Sequence, residues 1–356
     1  MNQLSRIYVA GHTGLVGSAL VRHLTSHGYE RLIIRSHDEL DLRNQFLTDQ
    51  FFAQERPEYV FLVAARVGGI RMNQDMGADF LFDNLQIATN VICSALKYGV
   101  VKLINFGSSC IYPHNLTRPI RETDLLTGPL EVTNEAYAIA KIAAVKLCRA
   151  MYRQYGKNFY SIMPPNLYGP NDNFNLYSAH VLPALIRKFH LGRLFQEQRY
   201  PELLADLRST SRRSEPIRLR KKDEMESYLA KQGIYRDLVK VGGTGTPQRE
   251  FLHVDDLADF AGTLMEQRQA DEIGECINVG TGICISVSRL ARLIAKVVSY
   301  AGRIEYDPSI PDGTRRKVMN SERAAQWGFR PQIRLKQGIE STYRWYLAQR
   351  EEDQVS

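Results

Sequence analysis

The chain has 356 residues, 44% apolar and 24% charged, which is enough for two packed domains and excludes a disordered or fibrous protein. Its net charge of +7 asks for anionic partners, and phosphate-bearing small molecules meet that as simply as nucleic acid does. The apolar run Tyr59 to Ala65 stops at Arg66, far short of a membrane span. A strand pattern starts almost at once, without a signal-peptide pattern. The cysteines (Cys93, Cys110, Cys148, Cys276, Cys284) are odd in number and hold no Cys-x-x-Cys pair. That spacing predicts free thiols, a cytoplasmic setting and no metal site.

Arg6 to Ala10 reads as a strand, followed by Gly11-His12-Thr13-Gly14-Leu15-Val16-Gly17 and a helix to His27. Strand, glycine turn and helix open a dinucleotide-binding fold, in which backbone amides approach a pyrophosphate at the helix N-terminus. The second strand, Arg31 to Arg35, ends on a cation, with His37 two residues on. An acid there would hold the ribose of NAD; Arg35 favours the extra phosphate of NADP. A helix is expected from Leu40 onward, then a buried strand from Tyr59 and a flexible loop at Val67-Gly68-Gly69-Ile70. A helix from Asp79 to Tyr98 precedes the strand Lys102–Phe106, which ends in Gly107-Ser108-Ser109-Cys110. Continuous apolar strands of this kind suit a parallel sheet covered on both faces, with ligands at the carboxyl ends.

Asn134 to Tyr155 reads as one helix bearing Tyr137 and Lys141. Positions i and i+4 share a face, so a phenol and an ammonium stand together, and the charge is expected to lower the phenol pKa. Such a tyrosine passes a proton to or from a carbinol oxygen, and a serine at the Gly107–Cys110 turn can bond the same oxygen. The strand Phe159–Met163 runs into Pro164-Pro165-Asn166-Leu167, a stiff exit. Residues 193–240 carry 12 basic and 8 acidic side chains, a mix that predicts a solvated helical insertion rather than a nucleic-acid surface. Strands near 248–253 and 275–282, and helices at 286–298 and 335–350, complete the chain.

Several motifs occur in order: Ala-Gly-His-x-Gly-Leu-Val-Gly, Val-Gly-Gly-Ile, Gly-Ser-Ser-Cys-Ile-Tyr-Pro, Thr-Asn-Glu-x-Tyr-Ala-Ile-Ala-Lys, Asn-Leu-Tyr-Gly-Pro-x-Asp-Asn-Phe and Pro-Asp-Gly-Thr-x-Arg-Lys. Together they resemble the extended short-chain dehydrogenase/reductases, and within them the GDP-L-fucose synthases. The resemblance implies an α/β fold: a Rossmann-type doubly wound parallel sheet with a smaller C-terminal α/β substrate domain. The NADP domain would span 1–166, completed by about 248–280; the substrate domain would take 167–247 and 281–350. It implies a 3,5-epimerisation and NADPH-dependent 4-reduction of GDP-4-keto-6-deoxy-D-mannose, and a homodimer built on the helices near 79–98 and 134–155.

By position, the resemblance makes Ser108, Tyr137 and Lys141 the reductase triad and Cys110 and His180 the epimerisation pair. Gly11 to Gly17, Phe106 to Ser109, Pro164 to Leu167, Lys141 and His180 would line the cofactor, and Lys188, Arg249, Asp312 and Lys317 would hold the GDP-sugar. Taken alone, a buried cysteine usually fills a core and a histidine is usually structural. Cys110 differs in sitting beside two serines at a strand end. The family commonly has tryptophan where this chain has Gly242, and arginine where it has Thr13. Gly242 leaves room for a reductase of another GDP-4-keto sugar, a heptose or dideoxy sugar. A non-catalytic NADP-binding scaffold is the rival from another class.

Overall fold

The computed structural model describes residues 1–209 and 221–355; part of the expected insertion, 210–220, lies outside the described residues. The first half runs β1 (Ile7–Ala10), α1 (Leu15–Ser26), β2 (Leu32–Ile33), α2 (Gln45–Glu55), β3 (Tyr59–Leu62), α3 (Ile70–Asp75), α4 (Gly77–Lys97) and β4 (Lys102–Phe106). Then come α5 (Glu135–Tyr155), β5 (Asn158–Met163), β6 (Asn166–Tyr168), α6 (Val181–Gln196), α7 (Tyr200–Arg208), α8 (Lys222–Lys231), β7 (Ile234–Tyr235) and β8 (Leu238–Gly242). The chain ends through β9 (Gln248–His253), α9 (Val254–Gln267), α10 (Ala270–Ile273), β10 (Cys276–Asn278), β11 (Cys284–Ser286), α11 (Val287–Val298), β12 (Arg303–Asp307), β13 (Arg316–Lys317), α12 (Glu322–Gln326) and α13 (Leu335–Val355).

Six parallel strands form the main sheet in the order β10-β5-β4-β3-β1-β2. Alternate residues feed opposite faces: Ile7, Val9, Phe61, Ile104 and Phe106 pack toward α1 and α9, while Tyr8, Val60, Leu62 and Leu103 pack toward α2 and α4. Two apolar layers explain why the strands read as unbroken apolar runs. The strand order reverses between β1 and β3, so the crevice at their carboxyl ends is the place where such sheets take ligands. A second sheet pairs β9 with β6, β11 and β13, and a third joins β12, β8 and β7. Thus β10 joins the main sheet, whereas β9 lies in the second.

Several local expectations shift for identifiable reasons. Leu40 and Leu42 are buried but not helical; the helix begins at Gln45 because Asn44 caps it, its side chain accepting from Leu47 N at 3.1 Å. Gly69, expected in a flexible loop, is the N-cap of α3. Its amide donates to Ser178 O at 2.8 Å. Of the insertion, α7 and α8 are helical, and it closes in the β7–β8 hairpin. The smaller lobe encloses a buried charge cluster. Arg187 Nε donates to Asp206 Oδ1 at 3.0 Å, Tyr346 donates to Oδ2, and Arg350 and His190 stand 3.5 and 3.7 Å from it.

Candidate active site

The glycine turn sits at the switch point because only a bare backbone fits there. Gly11 has φ +87°, and a Cβ on it would stand 2.9 Å from the Ala64 Cα, just past β3. A Cβ on Gly17 would come within 2.1 Å of the Gly11 carbonyl oxygen, so helix and turn are pressed together. Gly14 caps α1 without any side-chain bond, leaving the first amides of the helix to another acceptor. His12 Nδ1 is buried and has no partner. Open amides, a missing Cβ and an orphaned ring nitrogen fit a pyrophosphate. Thr13 is exposed, and Leu15 and Val16 anchor the helix to the core beneath the sheet. Arg35 is otherwise engaged: Nη1 donates to Ile34 O at 2.7 Å and Nη2 pairs with Glu55. A 2′-phosphate would have to compete with that carboxylate.

The reactive side chains converge at the carboxyl end of β4. Gly107 lets the Met163 side chain lie close against the turn, since a Cβ would stand 2.3 Å from Met163 Cε. Ser109 is buried and its amide donates to Pro164 O at 3.1 Å, clamping this turn to Pro164 and Pro165. Asn166 is turned away, its Nδ2 donating to Glu250 O at 2.9 Å, and Leu167 packs into the core. Ser108 Oγ accepts from Cys110 N at 3.3 Å. Lys141 Nζ donates to the Phe106 carbonyl at 2.8 Å and lies 5.8 Å from the Tyr137 ring centre. Phe80 of α4 meets that ring edge-on at 6.4 Å.

Burial, more than charge, sets the titration here. It pushes the Tyr137 phenol up, and a negative charge on Cys110 adds to the rise. The expected lowering by the neighbouring ammonium is overturned, because Lys141 is itself desolvated and falls to about 8. A retained proton suits a reduction, in which the phenol must donate to an alkoxide. Burial also raises the Cys110 thiol; Lys317, a bond from Ser108 and Lys141 oppose it without winning. His180 is the N-cap of α6; its surface is exposed, yet the protein atoms around it lower its imidazole pKa by desolvation. The contacts fixing the segment before it run to Gly69, where a Cβ would stand 2.7 Å from Ala179 O.

Residues 7–212 and 221–280 match the model of the NAD dependent epimerase/dehydratase family. GDP-L-fucose synthase of Escherichia coli is 42% identical over 96% of this chain and 96% of its own length. GDP-L-fucose synthase 1 of Arabidopsis thaliana is 44% identical over 96% of this chain and 93% of its own. The chain belongs to this family, on its GDP-L-fucose synthase branch. A solved GDP-D-glycero-L-gluco-heptose synthase from Campylobacter jejuni, in the presence of NADPH, superposes with a TM-score of 0.90 at 36% identity, covering 98% of this chain and 99% of its own.

This family member arranges the sugar-side residues less directly than their sequence positions suggest. Arg249 donates to three backbone carbonyls, Gln248 O at 3.0 Å, Asp312 O at 3.3 Å and Thr314 O, and so staples the loop that follows Pro311. Asp312 accepts from Thr244 N at 2.7 Å and Thr244 Oγ1 at 2.6 Å, fixing the turn after Gly242. Lys188 Nζ donates to Lys240 O at 3.0 Å. Lys317, in register with Arg249 across β13 and β9, feels Cys110, as Lys141 does. The room beside Gly242 is partly taken: a Cβ there would meet Ile310 Cδ1 at 3.0 Å. A cavity of about 390 Å³ opens between His114, Asn115, Glu131, Val132 and the loop Gly313–Arg315. Sequence reasoning missed Glu131, whose charge acts on Lys317 and Arg249, and Ile310. Glu131 lies three residues before Asn134, and nothing in its spacing marked a role.

Proposed function

We propose that the chain converts GDP-4-keto-6-deoxy-D-mannose to GDP-L-fucose, by epimerisation at C3 and C5 and NADPH-dependent reduction at C4. The observation that carries this reading is the single cluster of Ser108, Cys110, Tyr137, Lys141 and Lys317 at the end of β4. NADPH, when bound, supplies the hydride; Gly11 to Gly17, Phe106 to Ser109, Lys141 and the Pro164–Leu167 exit would hold it. The 4-keto group acidifies the hydrogens at C3 and C5. Cys110 removes them as the minor thiolate that Lys317 and Lys141 sustain, and His180 returns protons on the opposite face. Tyr137 and Ser108 donate to the enolate oxygen, and Tyr137 later gives its proton to the 4-oxyanion.

Lys188, Arg249 and Lys317 are assigned to the diphosphate, Arg249 chiefly by holding its loop. The reading includes a homodimer, because Phe82 on α4 and Ile139 on α5 are 61% and 42% exposed along two helices that pack together. It also includes a cytoplasmic location: the five cysteines are unpaired, and among the described residues no helix is long and apolar enough to cross a membrane.

The direct test offers the chain NADPH and a panel of GDP-4-keto sugars. Consumption with the 6-deoxy-mannose compound and release of GDP-L-fucose is expected. Turnover confined to a heptose or dideoxy compound would reassign the substrate, and none at all would sink the enzymatic reading. A pH series adds a second check. Lys141 is charged below about 8 and neutral above it. With the ammonium needed in the free enzyme, kcat/KM is expected to fall as pH rises through that value. A level profile between about pH 7 and about pH 9.5 would contradict the requirement for its charge.

A further inference from the structure

We propose that His23, His27 and Asp259 form a surface site for a divalent cation of the zinc type, bridging the end of α1 to α9. His23 lies in the last turn of α1 and His27 caps it, so four residues' spacing puts both rings on one face. The ring centres are 4.1 Å apart. Asp259 faces them from α9, with Oδ1 3.6 Å from His23 Nδ1. One ligand atom from each of the three residues lies within 4.8 Å of the others.

Two further details orient this group for a metal. His27 Nδ1 stands 2.8 Å from the His23 carbonyl oxygen. A carbonyl only accepts, so Nδ1 carries the proton and the Nε2 lone pair is left outward. Histidines that ligate metals commonly have their other ring nitrogen held in this way. Gly262 on α9 provides room for the second ring, since a Cβ there would stand 2.4 Å from His23 Nε2. That contact turns His23 Nδ1 toward Asp259.

The donor set selects the cation. Two imidazoles and one carboxylate suit zinc, cobalt, nickel or copper, whereas magnesium and calcium require oxygen shells. Ligand atoms around zinc lie about 3.3 Å apart, given bonds of about 2.0–2.1 Å. The gap from the present spacing closes by side-chain rotation, because His27 and Asp259 are exposed. Water completes the shell, as in an open three-ligand site. Cysteine spacing, the usual sequence mark of a zinc site, carries no trace of this histidine pair. No step of the proposed reaction uses these residues; the ion acts as a staple between two helices on one face of the main sheet.

The test uses the full chain after treatment with EDTA. Zinc chloride is titrated in by calorimetry, and cobalt chloride is followed by visible absorbance. Roughly one ion per chain is expected, with melting raised by about 2 °C or more at saturating zinc. His27→Asn and Asp259→Asn are each expected to weaken binding at least about tenfold. Cys93→Ser with Cys284→Ser, which removes the two cysteines that are not buried, is expected to leave it unchanged. Absence of binding at about 100 μM free zinc would overturn the proposal. So would binding that survives the His27→Asn, Asp259→Asn double variant, or that vanishes with the cysteines.

Discussion

Tyr137→Phe is expected to reduce NADPH consumption by about 10²–10⁴-fold while deuterium from solvent still enters C3 and C5 of the keto sugar. The substitution keeps the ring that packs edge-on against Phe80 and near Lys141. Only the hydroxyl is lost, so the site retains its shape. Reduction at C4 then lacks the proton that burial holds on the phenol until an alkoxide forms. Exchange at C3 and C5 needs a base and an enolate donor, and Cys110 and Ser108 still supply them. Following the absorbance of NADPH beside proton NMR of the sugar separates the two reactions. If both fall by the same factor, the division of labour between Tyr137 and Cys110 is wrong.

Cys110→Ser is expected to slow C3 and C5 exchange by at least about 10²-fold. The two side chains are nearly isosteric at a position only 6% exposed, so packing changes little. The hydroxyl, however, yields almost no anion at neutral pH, whereas the thiol yields some even after burial has raised its pKa. A second feature follows from that raised value. Exchange by the unsubstituted chain should climb with pH above neutrality, because each step releases more thiolate. Reduction of an already epimerised substrate should be far less affected, since Tyr137 and Lys141 remain. Deuterium incorporation as fast as in the parent chain would remove Cys110 as the base.

Much of this architecture was legible in the sequence because its signals are local. Gly11 and Gly17 mark a turn that leaves no space for a side chain at either position, and Tyr137 and Lys141 share a helical face whatever surrounds them. The apolar runs betrayed a sheet buried on both faces. What could not be read depends on partners distant in the chain. Nothing near Arg35 announces that Glu55 would claim its guanidinium. Arg249 looks like a phosphate ligand until its donors are found on carbonyls at residues 312 and 314. The direction of the Tyr137 shift was also missed, because periodicity reports proximity to a charge but not how deeply both groups are desolvated.

The acid at position 206 has a consequence for how this lobe can change over generations. Arg187 is 4% exposed and Asp206 2%, and the pair also secures Tyr346 and Arg350 from the last helix. Losing Asp206 alone leaves Arg187 buried without a carboxylate, at a cost of about 3–5 kcal/mol, whereas losing Arg187 leaves the acid with Arg350, His190 and Tyr346. Replacing both by apolar residues of similar volume removes the stranded guanidinium, although Tyr346 and Arg350 still lose their acceptor. Tolerated variation at these sites is therefore coupled: melting of an Arg187→Met, Asp206→Leu double variant should exceed that of Asp206→Leu alone. Drift through the lobe proceeds by paired exchange, and α7 is inherited as part of its interior rather than as a dispensable appendage.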